Sequence, residues 1–162
     1  MQIFSDAVGF DVGEARELFG QGEEERAVAY LEQFIAKGSI LAMIEMAEHL
    51  QDKGDSSSSL RWMEKAERAI GPADFDSLLY LSGALRRGLG AGTAEERSFR
   101  AFDLKERVAE AGNLAAIREM IVNYAHGLNG AAKDPERAIY WVRKAAALND
   151  EQAKQILRDE GL

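Results

Sequence analysis

Residues 124–146 read Tyr124-Ala-His-Gly-Leu-Asn-Gly130-Ala-Ala-Lys-Asp134-Pro-Glu-Arg-Ala138-Ile-Tyr-Trp141-Val-Arg-Lys-Ala-Ala146. Asp134 supplies an N-cap oxygen, and Pro135 takes the first helical position, where its missing N–H costs nothing. Ala138, Trp141, Val142 and Ala145 then recur at three- and four-residue spacing, marking one apolar helix face. The pattern predicts a helix from about Asp134 to Leu148. Working outward, Gly112-Asn113 reads as a glycine C-cap followed by the N-cap of a helix from Leu114 to His126. Thr93-x-x-Glu96 is a capping box that opens a helix carrying Phe99, Phe102, Leu104 and Val108. Asp74 opens another from Phe75 to about Arg87, and Gly71-Pro72 breaks the one before it. A short helix is expected near Val12–Phe19 and a last one over Glu151–Glu160. The 162 residues contain 26 alanines and 2 prolines, and valine and isoleucine fall at helical rather than alternating spacing, so no strand is expected.

The order helix, short loop, helix recurs, which invites a test for internal repeats. Tyr30, Trp62, Leu104 and Trp141 hold equivalent places in second helices, spaced 32, 42 and 37 residues apart. On that alignment Ala27, Ala101 and Ala138 each precede the marker by three residues. Phe34, Ala66, Val108 and Ala145 each follow it by four. Gly38, Gly112 and Asn149 end three second helices, with Gly71 displaced by one in the remaining unit. In the first helices Met46, Leu81 and Met120 coincide, as do Leu50, Leu85 and Tyr124. Ala42, Ser77, Ala116 and Ala153 form a row of small residues where helices cross closely.

Tyr124-x-x-Gly127-x-x-Gly130, Asp134-x-x-Arg137-Ala138 and Trp141-x-x-Lys144-Ala145-Ala146 together resemble a Sel1-like repeat, a relative of the tetratricopeptide repeats. Ala109-Glu-Ala-Gly112-Asn113-Leu-Ala-Ala116 resembles the junction between such repeats. The preceding unit keeps Gly88-x-Gly90 and Ala101 but has Leu85 for the tyrosine and Leu104 for the tryptophan. The unit over Leu41–Ile70 keeps Asp55, Trp62, Lys65 and Ala66, with a Ser56–Ser59 loop in place of the glycine pair. The resemblance implies an all-α fold, a right-handed α-solenoid of about four antiparallel helix pairs. It implies one domain over 1–162: a divergent acidic pair over 1–39, Sel1-like repeats over 40–148, and a capping helix over 149–162. Stacked pairs of this kind complete each other's core, and terminal pairs are atypical because they face water.

The formal net charge is −8, from 28 acids and 20 bases. Residues 1–55 hold 12 acids and 4 bases, and residues 56–162 hold 16 of each, so the whole surplus lies in the first third. That surplus reads either as a solvated acidic face or as a docking surface for a basic partner. It opposes broad binding to nucleic acid or anionic lipid. The absence of cysteine excludes thiolate ligands, disulfides and a cysteine nucleophile. The N-terminus lacks the basic and apolar regions of a secretory leader. No apolar run exceeds Ile40–Ile44, far short of the roughly 20 residues of a membrane helix. A cytoplasmic location is expected.

Catalytic features are missing. His49 and His126 have no ligand-like neighbours in sequence, so no metal is expected. Gly88-Leu-Gly90-Ala-Gly92 follows a helix and lacks Gly-Lys-Ser/Thr, so it reads as a turn rather than a phosphate loop. The Ser56–Ser59 run implies no base partner, and no carboxylate pair is marked as buried. Arg86, Arg87, Arg97, Arg100, Lys105 and Arg107 read as solvated cations paired with Glu95, Glu96, Asp103 and Glu106 along the helix, or as a clamp for an anion. The expectation is therefore a non-enzymatic protein–protein interaction module without a cofactor, an adaptor or regulatory scaffold. The alternative is an immunity protein that neutralises a toxin or secreted effector one to one. In the resembled families first helices line the concave face. That face would carry Ile44, Glu48, Gln51 and Asp52, then Asp76, Leu79, Arg86 and Arg87, then Ala115, Arg118, Val122 and His126. A groove acidic at one end and basic at the other is the expected result, suited to a partner polypeptide, with a basic one meeting the acidic end.

Overall fold

The computed structural model describes residues 6–161, which form nine α-helices. They fall into two compact units, residues 1–92 and 93–162. The first holds α1 (Val12–Gly20), α2 (Glu24–Ile35), α3 (Ile40–Asp52), α4 (Ser56–Ala69) and α5 (Phe75–Arg86). The second holds α6 (Ala94–Glu110), α7 (Leu114–His126), α8 (Pro135–Ala147) and α9 (Glu151–Asp159). Among the described residues the fold is thus all-α, and the helix order is that of four pairs followed by one more helix.

Most start signals act as read, but Ser56–Ser59, expected as a loop, is the first turn of α4, because Asp55 caps it by accepting from the Ser58 N–H. Asp74, Asn113 and Asp134 accept from the backbone N–H three residues on. Thr93 and Glu96 make both bonds of the capping box, at 3.2 and 2.6 Å. Stop signals recur with one geometry. After α6, Gly112 takes φ +95° and lets the Asn113 N–H reach back to the Val108 carbonyl at 3.3 Å. Asn149, at φ +64°, does the same for α8. A left-handed residue closes the last turn by satisfying carbonyls that the helix leaves open. Gly71 departs from this, with no positive φ, and α4 instead ends with Ile70 extended. The pre-proline restriction from Pro72 falls on Gly71, which it drives away from helical backbone.

Packing follows the repeat register. Ala27, Ala101 and Ala138 are buried, and Ser59 takes the matching place in α4. Phe34, Ala66, Val108 and Ala145 are buried two turns further on, and the small row Ala42, Ser77, Ala116 and Ala153 is buried too. Trp141 is wholly buried and anchors unit 2, whereas Tyr30, Trp62 and Leu104 are only half-buried. In unit 1 the divergent first pair is held by Phe10, which is wholly buried against Tyr30 and Phe34, each 5.6 Å away between ring centres. No helix among the described residues is long and apolar enough to cross a membrane.

Candidate protein-binding surface

In unit 1 the expected contact residues lie on α3, α5 and the turn after α5. Gln51, Asp52, Asp76, Arg86 and Arg87 are exposed, Glu48 and Leu79 half-buried. Ile44 is wholly buried and belongs to the core rather than to any surface.

The charges there do not form an acidic end and a basic end. Arg87 grips Glu48 with two hydrogen bonds, Nε to Oε1 at 2.8 Å and Nη2 to Oε2 at 2.9 Å. Residues read as opposite poles are therefore partners. Arg16, from α1, donates Nε and Nη2 to the two oxygens of Glu45 at 3.0 Å each, and Nη2 also lies 3.3 Å from Glu48. Glu45 is buried, and the Tyr80 hydroxyl of α5 donates to it as well. Three helices are thus tied through one carboxylate. Bidentate, charge-assisted bonds of this kind are the strong class. The protonation states follow. The Glu45 hydrogen bond, working against burial, raises the Arg16 pKa. Burial raises the Tyr80 pKa, and the nearby Glu45 charge adds to it. Burial opposes the Arg87 charge, but the Glu48 hydrogen bond and charge outweigh it and raise its pKa.

Two of the grooves on this unit carry its surplus of carboxylates. One, of about 290 Å³, is lined by Arg16, Phe19, Glu45, Glu48, His49 and Asp52. Its aromatic wall is the Phe19 ring stacked on His49 at 4.6 Å. The other, of about 850 Å³, runs along α2 and is lined by Glu23, Glu24, Glu25 and Glu32, with Arg26, Val28 and Ala29. Glu24 joins them, lying 3.4 Å from His49 and 2.6 Å from Lys53. The Lys53 hydrogen bond lowers the Glu24 pKa despite partial desolvation. Together the grooves carry seven carboxylates against two arginines.

In unit 2, Ala115, Arg118, Val122 and His126 are all exposed on α7. Arg118 reaches Asp150, the N-cap of α9, at 2.7 Å. That bond raises the Arg118 pKa and lowers that of Asp150. The repeat-motif residues cluster. Arg137 lies 4.6 Å from the Tyr140 ring centre, 5.5 Å from that of Trp141 and 5.8 Å from that of Tyr124. Glu106 of α6 accepts from Arg137 at 3.1 Å and from the Tyr124 hydroxyl at 2.8 Å. Lys144 pairs with Glu110. The motif is a packing device linking α6, α7 and α8. The acids of α6 consequently find partners across helices: Glu106 on Arg137 and Glu110 on Lys144, while Lys105 reaches Glu119 of α7. For Glu106 and Lys105 the partner thus lies on another helix rather than along α6.

Three residues of the unit 1 network, Arg16, Glu45 and Tyr80, were not foreseen as site residues. Glu45 had a signal: it is the single acid within the eight-residue run Ile40–Ala47, every member of which is buried. No group of three or more metal-ligating side chains occurs among the described residues. His49 packs against Phe19, and His126 faces solvent.

The fold and these clusters define a helical-repeat protein whose prominent residues hold helix to helix. Residues 40–69 and 113–150 match the Sel1 repeat family, and the chain carries Sel1 repeats over those two segments. Sel1 repeats generally serve as protein–protein interaction scaffolds. Chitin synthase regulatory factor 3 of Schizosaccharomyces pombe is 29% identical over 108 residues, 65% of this chain; the chain spans 11% of that protein's length. A Sel1 repeat protein from Oxalobacter formigenes is 28% identical, with 83% of this chain and 98% of that one covered and a TM-score of 0.46. A protective antigen of uropathogenic Escherichia coli displaying an SLR fold is 21% identical, with 84% and 29% covered and a TM-score of 0.47.

Proposed function

We propose that this chain is a non-enzymatic binding module, an adaptor or regulatory scaffold that docks a partner polypeptide on its helical-repeat surface in the cytoplasm. The observation that supports it is the pair of open grooves on unit 1, with their surplus of carboxylates. An enzyme of acid–base type needs a convergent group left free to take or give a proton. Here the buried carboxylate, Glu45, is already held by Arg16 and Tyr80. What such a surface offers is area and charge for another chain. Residues 1–92 hold 16 acids and 9 bases, residues 93–162 hold 12 and 11, so a basic partner is steered to unit 1. Exposed Gln51, Asp52, Asp76 and Arg86 are contact residues in this reading, together with Leu79 at the edge of the core and Glu48 and Arg87 as a pair. On unit 2, Ala115, Arg118, Val122 and His126 serve in the same way.

The same charge concentration supports a second reading, an immunity protein that caps a basic toxin or effector, since steering speeds capture. Affinity purification from native lysate, followed by mass spectrometry and titration of the partner, tests both. A specific partner whose association slows with salt is the expected result. A single one-to-one complex of nanomolar or tighter affinity favours the immunity reading, and several ligands of weaker affinity favour the adaptor. Turnover of a small molecule by the purified chain, with no protein partner found, would sink both.

A further inference from the structure

We propose that the outward stripe of α2 is the seat of a cationic helix of the partner; this rests on the protein-binding reading and gives the partner's shape and charge. The stripe consists of Glu25, Val28, Ala29 and Glu32. Their spacing is i, i+3, i+4 and i+7, so they share one helix face. The opposite face, with Ala27, Leu31 and Phe34, is buried in unit 1. The stripe lines the groove of about 850 Å³. Its middle is low: Ala29 is exposed and short, and Val28 is half-buried. A partner backbone can come close there, as small residues allow between helices. Glu25 and Glu32 stand at the two ends, roughly 10 Å apart along the axis at 1.5 Å per residue. A partner helix with Lys or Arg at i and i+7, and Ala or Leu at i+3 and i+4, carries the matching spacing.

Charge bookkeeping separates the stripe from the acids beside it on α2 and from the α3 carboxylates that α1 and the turn after α5 already hold. Glu23 is paired with Arg26, and Glu24 with Lys53. On α3 and after α5, Glu45 and Glu48 are occupied by Arg16 and Arg87. Glu25 and Glu32 have no cationic partner among the described residues. An incoming cation therefore gains an attraction at these two positions without displacing an existing one. A second helix face of this kind is distinct from the first-helix surface on which the contact residues above lie.

The test uses the whole chain, labelled with ¹⁵N, and three synthetic peptides. The first is an amphipathic helix with Lys at i and i+7 flanking Ala and Leu, the second has the same composition in scrambled order, and the third has Glu for Lys. Amide shifts should concentrate at Glu25, Val28, Ala29 and Glu32 with the first peptide. Its affinity should fall roughly tenfold or more on scrambling, with Glu for Lys, or in the Glu25→Lys/Glu32→Lys chain. Glu25→Gln/Glu32→Gln, which only neutralises the exposed sites, should give an intermediate loss and guards against a folding defect in the reversed variant. Equal affinity for ordered and scrambled peptides, or shifts centred on α3 and α5, would overturn the proposal. The native partner separates this failure from that of the broader reading. A partner held equally by wild type and the reversed variant removes the α2 seat and leaves the binding module standing. A wild-type chain that holds no protein partner removes the module itself.

Discussion

Replacing Glu45 by Leu probes whether α1, α3 and α5 are held as one cooperative knot. The substitution removes the acceptor of the Tyr80 hydroxyl and of both Arg16 nitrogens. Tyr80 is buried, and taking away its Glu45 acceptor costs about 1–3 kcal/mol. Arg16 is half-exposed and can return to water, so its lost pair adds only about 1 kcal/mol. The expected total is about 3 kcal/mol of destabilisation. Tyr80→Phe leaves Glu45 bound to Arg16 and should cost about 1.5 kcal/mol. In the double variant neither buried group lacks a partner, because both are apolar. Its cost should be about 2.5 kcal/mol, giving a coupling of about 2 kcal/mol. Urea unfolding followed by tryptophan emission measures this. Trp62 lies in α4 of unit 1 and Trp141 in α8 of unit 2, so a Trp141→Phe background leaves Trp62 to report unit 1 alone. The midpoint should move while the slope with denaturant stays constant. Strictly additive single effects would refute the knot, since they would mean that Tyr80 and Glu45 do not depend on each other.

Other expectations follow from the caps, the motif cluster and the titrating groups. Gly112→Ala should lower the stability of unit 2 by about 1–2 kcal/mol, because φ +95° strains any Cβ although no atom lies within 4 Å of it; Trp141 emission in urea reads it, and Gly71→Ala, at a position without positive φ, should be far milder. Thr93→Ala should cost about 1 kcal/mol by opening the capping box, measured the same way. Stability should fall on acidification. Glu24, Glu110 and Asp150 have pKa values lowered chiefly by Lys53, Lys144 and Arg118 respectively, so their contribution is present above the ordinary values of 4.5 and 3.8 and is lost as pH falls through the lowered ones. At the alkaline end the raised Tyr80 pKa works oppositely: stability holds below the ordinary 10.0 and declines above it, an effect that Tyr80→Phe should reduce but not remove, because burial also raises the pKa values of Tyr30 and Tyr124.

Helix ends were the most legible feature of the sequence. Asp74, Thr93, Asn113 and Asp134 each name a start through a side-chain oxygen that has one short-range task, and short-range tasks are written locally. The core rows were legible too, because Ala27, Ala101 and Ala138 recur at a fixed distance from their marker. What sequence did not disclose was which charges meet. Glu48 and Arg87 are 39 residues apart, and Arg16 and Glu45 are 29 apart; such pairs depend on the rotation of one helix against another, which periodicity leaves open. Assigning Glu48 and Arg87 to opposite poles treated each charge as free. Ile44 was misplaced for a related reason. A run such as Ile40–Ile44 is apolar on every side, so spacing alone cannot say which member faces out. Phe10 lies outside any helix, and no helical period could mark it as core.

The Arg87–Glu48 clasp has a kinetic and energetic consequence for anything that approaches that side of α3. Both side chains already possess a partner on the same molecule, held at the high effective concentration that tethering provides. A visiting lysine or aspartate there does not add a contact; it must exchange for one, and its gain is only the difference between two similar bonds. Such a surface discriminates by geometry, rewarding a ligand that reproduces the planar two-pronged fit and returning almost nothing to a stray charge. An internal ion pair thus makes that patch resistant to promiscuous association while leaving it polar.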